Sequence, residues 1–175
     1  MPLIWMLLVI VGAVAGCRIP FISVAPAAYA QLRDANGRAV GYAVFVQDDG
    51  SVRMLMDVTG LPPGQKGVHV HAVGRCEASS FESAGAHFNP GNTEHGSANP
   101  RGPHGGDLPN LTVDSAGRGH LEATLRRVSV DPGSRSLFDA DGSSVVIHAD
   151  PDDLRTDPDG KSGARIACGE IRRGS

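Results

Sequence analysis

From residue 28 onward the chain is written in short stretches of alternating apolar and polar residues, each closed by turn residues. In Ser51 to Thr59, Val52, Met54, Met56 and Val58 fall on one face and Arg53 and Asp57 on the other, which is the period of a half-buried strand. Ala28 to Asp34 runs into Ala35-Asn36-Gly37, and Gly41 to Gln47 into Asp48-Asp49-Gly50. Gly60-Leu61-Pro62-Pro63-Gly64 breaks the chain ahead of a short strand at Gly67 to His71. Leu111 to Asp114 and Gly119 to Leu125 flank Ser115-Ala116-Gly117-Arg118 as a hairpin, and Ser143 to His148 and Arg165 to Ile171 complete the set. About eight strands without a long amphipathic helix predict an all-β fold, an antiparallel Greek-key barrel or sandwich.

Two segments stand outside this pattern. Residues 72–110 are rich in Gly, Asn, Ser, Pro and His, and residues 149–163 in Asp, Pro and Gly, with no periodicity in either. Irregular loops of such length inside a compact domain are usually functional or disordered. The 175 residues fit one domain, and 41% hydrophobic against 20% charged residues allow a packed core. A formal net charge of −3 argues against a nucleic-acid binder working through bulk positive charge.

The first residues read as an address. Residues 1–17 carry no charged side chain, and Leu3 to Ala15 is almost wholly apolar, too short for a membrane span and suited to a secretory signal. No Lys or Arg precedes the apolar run. Val14-Ala15-Gly16-Cys17 resembles a bacterial lipobox, with Cys17 as the lipidated first residue. Ala28-Tyr29-Ala30 resembles an ordinary cleavage site but would cut into the first strand, so the lipobox is the favoured reading. The expected organisation is a signal at 1–17, a tether at 18–27 and one domain at 28–175, exported to the periplasm or cell envelope of a bacterium. Of the three cysteines, Cys76 and Cys168 remain once Cys17 is set aside, and they can pair. Closing a loop of about 92 residues is worth roughly 4–5 kcal/mol in the chain-entropy model.

The histidines lend the long loops a function. His69 and His71 lie two apart on a strand, so both rings leave one face and can reach one ion. His87, His95 and His104 follow in one irregular loop, with Asp107 just beyond and His148 at the end of a later strand. Imidazoles with a carboxylate suit zinc or copper, whereas calcium wants oxygen ligands. A bound metal would also order a loop whose apolar content is sparse. His120 lies outside the pattern and is expected to face solvent. Asp157-Pro158-Asp159-Gly160 faintly suggests a calcium loop, but Arg155 and Ile166 would occupy its first and last ligand positions. Asn110-Leu111-Thr112 is a glycosylation sequon that carries no weight in a bacterium.

A set of motifs then carries a family resemblance. Gly67-Val68-His69-Val70-His71, Gly85-Ala86-His87-Phe88-Asn89-Pro90, His95-Gly96, His104-Gly105-Gly106-Asp107-Leu108, Val146-Ile147-His148-Ala149-Asp150 and Gly163-Ala164-Arg165-Ile166-Ala167-Cys168-Gly169 stand in order along residues 28–171. Together they resemble Cu/Zn superoxide dismutase, a family that shares the sandwich architecture. The distance from Cys76 to His87, with Gly106-Asp107-Leu108-Pro109-Asn110, resembles the bacterial exported branch.

The resemblance implies two metals per subunit. Copper would be held by His69, His71, His87 and His148, and zinc by His87, His95, His104 and Asp107, with the His87 ring bridging them. Asp152 would bond the far nitrogens of His69 and His95 and tie the sites together. Cys76 and Cys168 would form the family's intrachain disulfide. The implied reaction is disproportionation of superoxide, with His87 and Arg165 as the catalytic residues, Arg165 docking the anion and Lys161 a weaker helper. Val68 stands where Phe is more usual, which should leave the ligands unaffected. The alternative is a non-catalytic copper/zinc buffer or delivery protein on the same scaffold, which would be expected to lack a ligand or the arginine; this chain lacks neither. No nucleic-acid partner is expected, and membrane contact only through a lipid on Cys17. The subunit state stays open between monomer and homodimer, because the family uses different surfaces in different branches.

Overall fold

The computed structural model describes residues 27–174. The expected signal at 1–17, with Cys17, and all but the last residue of the expected tether at 18–27 lie outside them. The eight expected strands are present: β1 (Ala28–Asp34), β2 (Ala39–Asp48), β3 (Ser51–Val58), β5 (Val68–His71), β6 (Leu111–Val113), β7 (Gly119–Leu125), β8 (Ser144–His148) and β9 (Arg165–Glu170). Two short strands join them, β4 (Gly64–Lys66) and β10 (Arg172–Arg173). One 3-10 turn at Glu82–Ala84 interrupts the first long loop, and the second has no strand of its own.

Every pairing between strands is antiparallel, in the order β4-β6-β7-β3-β2-β1-β9-β8-β5, with β10 on β1. The two ends of this path, β4 and β5, are separated along the chain by Gly67 alone, so one extended run touches both edges and nearly closes a barrel. Near-closure leaves only the short outer edges of β4 and β5, which limits pairing with other chains. Gly67 is required at that corner. Its N–H donates to the Asp150 carbonyl at 2.8 Å, and a Cβ there would stand 2.6 Å from Ser162 Oγ.

The interior is apolar. Val52, Met54, Met56 and Val58 of β3 point inward with Leu32, Phe45, Leu111 and Ile147, all buried. β5 and β8 depart from alternation, for all their residues are buried. Val68, Val70, Val145 and Ile147 face the barrel core. The register pairs His69 with Val146 and His71 with Ser144, so these residues share the outer face. The two long loops cover that outer face. A small second cluster of Phe81, Ala84, Val146 and Cys168 lies there, beside Cys76.

Candidate metal centre

Strands β5 and β8 deliver three of the candidate ligands by register alone. His69, His71 and His148 emerge on the covered outer face of the barrel, and all three are buried. The first long loop folds back onto β5 through single bridges of His71 with His87 and His69 with Asp107. That contact brings a loop histidine and a loop carboxylate to the strand pair.

Each strand histidine has one nitrogen fixed and the other left over. His71 Nδ1 donates to the Gly85 carbonyl at 2.9 Å, and His148 Nδ1 to the Gly163 carbonyl at 3.1 Å. His69 Nε2 donates to Asp152 Oδ2 at 2.8 Å. A carbonyl or carboxylate on one nitrogen sets the tautomer, so the opposite nitrogen keeps its lone pair. Those opposite atoms, His69 Nδ1, His71 Nε2 and His148 Nε2, are buried without a hydrogen-bond partner, as is His87 Nε2. A buried polar atom left unpaired costs about 1–3 kcal/mol. Ligand atoms of these four histidines lie within 4.8 Å of one another, which is the arrangement a metal ion would satisfy. The donor chemistry therefore fits an imidazole-bound ion.

Burial lowers the pKa of His69 to about 3, against the pull of Asp152. It lowers His71 to about 2 and His148 to about 4. His87 is lowered as well, by burial and despite Asp107. Neutral imidazole is the form a metal needs.

The neighbouring cluster is built differently. His87 Nδ1, His95 Nδ1 and His104 Nδ1 stand 3.2, 3.0 and 3.3 Å from Asp107 Oδ1, and His104 Nδ1 is 3.5 Å from His87 Nδ1. Asp107 Oδ2 accepts the N–H groups of Gly96 and His104 at 2.8 and 2.9 Å. His69, His87, His95 and Asp107 also bring ligand atoms within 4.8 Å, so His69 borders both groups. Burial works against the Asp107 charge, but hydrogen bonds from His104, His87, His95 and Gly96 outweigh it and lower its pKa. His95 loses by burial yet is raised to about 10, because Asp107 and Asp152 take its two nitrogens. Three imidazole nitrogens thus gather on the Asp107 carboxylate, a donor chemistry that suits zinc, although the four residues whose ligand atoms lie within 4.8 Å include His69 rather than His104.

Asp152 links the clusters, since its two oxygens accept from His69 Nε2 at 2.8 Å and His95 Nε2 at 3.0 Å. Asn110 holds Asp152 in place; its amide bonds the Asp152 carbonyl at 2.9 Å and N–H at 2.8 Å. That role is invisible in the sequence, where Asn110 reads as a sequon and as the end of the Gly106–Asn110 motif. The Gly85 and Gly163 carbonyls that set two tautomers carry no side-chain signal either.

Arg165 lies opposite His148 in the β8–β9 register. Its Nη1 donates to the Phe81 carbonyl at 2.7 Å and its Nη2 to the Gly85 carbonyl at 2.8 Å, the same oxygen that orients His71. The Cys76–Cys168 disulfide pins the loop bearing Phe81 and Gly85 to β9. Lys161 is exposed and stands 3.8 Å from Asp153. His120 is exposed as expected and bonds Asp57 at 2.8 Å.

Comparison with known proteins follows the same line. Residues 39–171 match the family model described as copper/zinc superoxide dismutase. The chain is 40% identical to superoxide dismutase [Cu-Zn] 2 of Aquifex aeolicus over 147 residues, 83% of this chain and 86% of that one. It is 41% identical to superoxide dismutase-like protein YojM of Bacillus subtilis over 146 residues, 82% of this chain and 74% of that one. The crystal structure of a SOD-like protein from Bacillus subtilis superposes with a TM-score of 0.78 at 40% identity, covering 81% of this chain and 96% of the other.

Proposed function

The chain belongs to the copper/zinc superoxide dismutase family, and on that premise we propose that it disproportionates superoxide to oxygen and hydrogen peroxide with one copper and one zinc per subunit. The observation that carries this reading is the convergence of four unpartnered buried nitrogens, those of His69, His71, His87 and His148, beside a second cluster built on Asp107. His69, His71, His87 and His148 would hold copper. His87, His95, His104 and Asp107 would hold zinc, with His87 belonging to both sets. When bound, copper would supply a one-electron redox couple for superoxide and zinc a fixed positive charge.

The chain's own residues do the rest. Arg165 uses two of its N–H groups on the Phe81 and Gly85 carbonyls, which aims the planar fork and leaves its other donors for a small anion. A local cation is needed because the chain as a whole carries a net negative charge. Lys161 adds less, since Asp153 partly offsets it. His87 would take a proton from solvent at Nε2 and deliver it to the second superoxide, and a second proton from solvent would complete hydrogen peroxide. The His87 Nδ1 stays among His95, His104 and Asp107, so the ring keeps its place while the proton moves.

We further propose export and a lipid on Cys17; the disulfide suits an oxidising compartment. Mass spectrometry of the mature N-terminus tests this, with a lipidated Cys17 expected and an unmodified residue at another start contradicting it. The activity is tested by superoxide consumption alongside copper and zinc content. Metal-loaded protein that leaves superoxide untouched would instead favour a non-catalytic metal carrier.

A further inference from the structure

The Asp157-Pro158-Asp159-Gly160 turn has no part in the scheme above, yet it lies against the Asp107 cluster. Asp157 Oδ1 accepts the backbone N–H of His95 at 2.7 Å and stands 3.5 Å from His104 Nε2. One carboxylate on the second long loop thus reaches two residues of the first. His104 Nδ1 faces Asp107, so its Nε2 is the outward nitrogen, where a carboxylate can fix ring orientation and strengthen the imidazole as a donor. The two loops also touch by backbone. Ala98 N–H donates to the Leu154 carbonyl at 2.9 Å. Gly160, with a positive φ of 63°, lies so close to His95 that a Cβ would stand 2.7 Å from its Nε2. The turn is therefore shaped to let one loop bed down on the other.

We propose that Asp157 is a positioning residue for zinc, fastening His95 and His104 so that the second long loop closes the zinc half of the centre. This rests on the reading that His87, His95, His104 and Asp107 hold zinc. Asp157 touches neither the ion nor superoxide; it acts through the two histidines. The role is separable from that of Asp152, which bonds His69 and His95 but not His104.

The test is zinc release from the copper- and zinc-loaded protein to a chromogenic chelator, with the visible spectrum of cobalt placed in the zinc site as a second readout. Asp157→Ala should release zinc about 10–100 times faster than the parent. Asp157→Asn keeps an oxygen for the His95 N–H but loses the charge facing His104, so it should fall between the two. Both variants should shift the cobalt bands, and the isosteric Asn variant carries the test should the Ala variant not fold. Asp131→Asn, in a remote loop, should match the parent. Parental release rates and an unchanged cobalt spectrum in both Asp157 variants would overturn the inference alone. Failure of the parent to take up zinc at these residues would overturn the zinc assignment beneath it.

Discussion

The two halves of the candidate metal centre are held in opposite ways. His69, His71 and His148 ride on strands whose register fixes them, each locked by a backbone carbonyl or Asp152, and their free nitrogens are uncharged. His95, His104 and Asp107 ride on a loop with no regular structure around them, and carboxylates hold them together. The strand half is preorganised and neutral. The loop half carries charge and depends on its mutual bonds, and His87 belongs to both. The difference teaches that a barrel can preorganise neutral imidazoles by strand register, whereas a loop holds its histidines through a shared carboxylate, with His87 in contact with both.

Removing a strand ligand should break the contrast most sharply. His148→Ala should abolish copper binding and bring superoxide turnover to background while the fold and the zinc content persist, as read by metal analysis, circular dichroism and a superoxide assay. Parental turnover in that variant would refute the copper assignment. Asp152→Ala should strike both halves together, weakening copper and zinc about 10–100-fold in chelator competition, because it frees His69 and His95 at once. Loss confined to one metal would contradict a linking role.

Arg165→Ala should leave both metals bound, lower kcat/KM by about tenfold and flatten its dependence on ionic strength. Stopped-flow rates at several salt concentrations check this, and unchanged salt dependence would count against anion docking.

The halves also predict opposite pH slopes for the metal-free protein. His69, His71 and His148 sit below the ordinary histidine value, so the unfolded chain takes up protons first and stability should fall as pH drops from about 6.5 through about 4 towards about 2. His95 is raised to about 10, so its contribution is present below about 6.5 and is lost as pH rises towards 10. Denaturant unfolding across pH should therefore show a maximum near pH 6.5, and a monotonic profile would contradict the assignment. The smallest effect belongs to His120→Ala, which should change stability by under about 0.5 kcal/mol and metal content not at all.

The sequence made much of this legible, for physical reasons that differ by residue. β3 could be read directly because one face meets the core and the other water. The His69–His71 pair declared itself through strand period, and the later histidines through their concentration in a loop without periodicity. β4 was hidden by Pro62-Pro63 and Gly64, which read as a break although the three residues after Pro63 pair with β6. β5 and β8 lack alternation because the loops bury their outer face, a condition no local pattern announces. The contacts of Asp157 and Asn110 leave no local signal because their partners are distant in the chain: Asn110 bonds Asp152, and Asp157 bonds His95.

The most direct measurement is a crystal structure of the metal-loaded protein with anomalous scattering at the copper and zinc edges. Copper should stand against His69 Nδ1, His71 Nε2, His87 Nε2 and His148 Nε2, and zinc against the Nδ1 atoms of His87, His95 and His104 with Asp107, the one His87 ring touching both. A single ion, or two ions with no ring between them, would contradict the account.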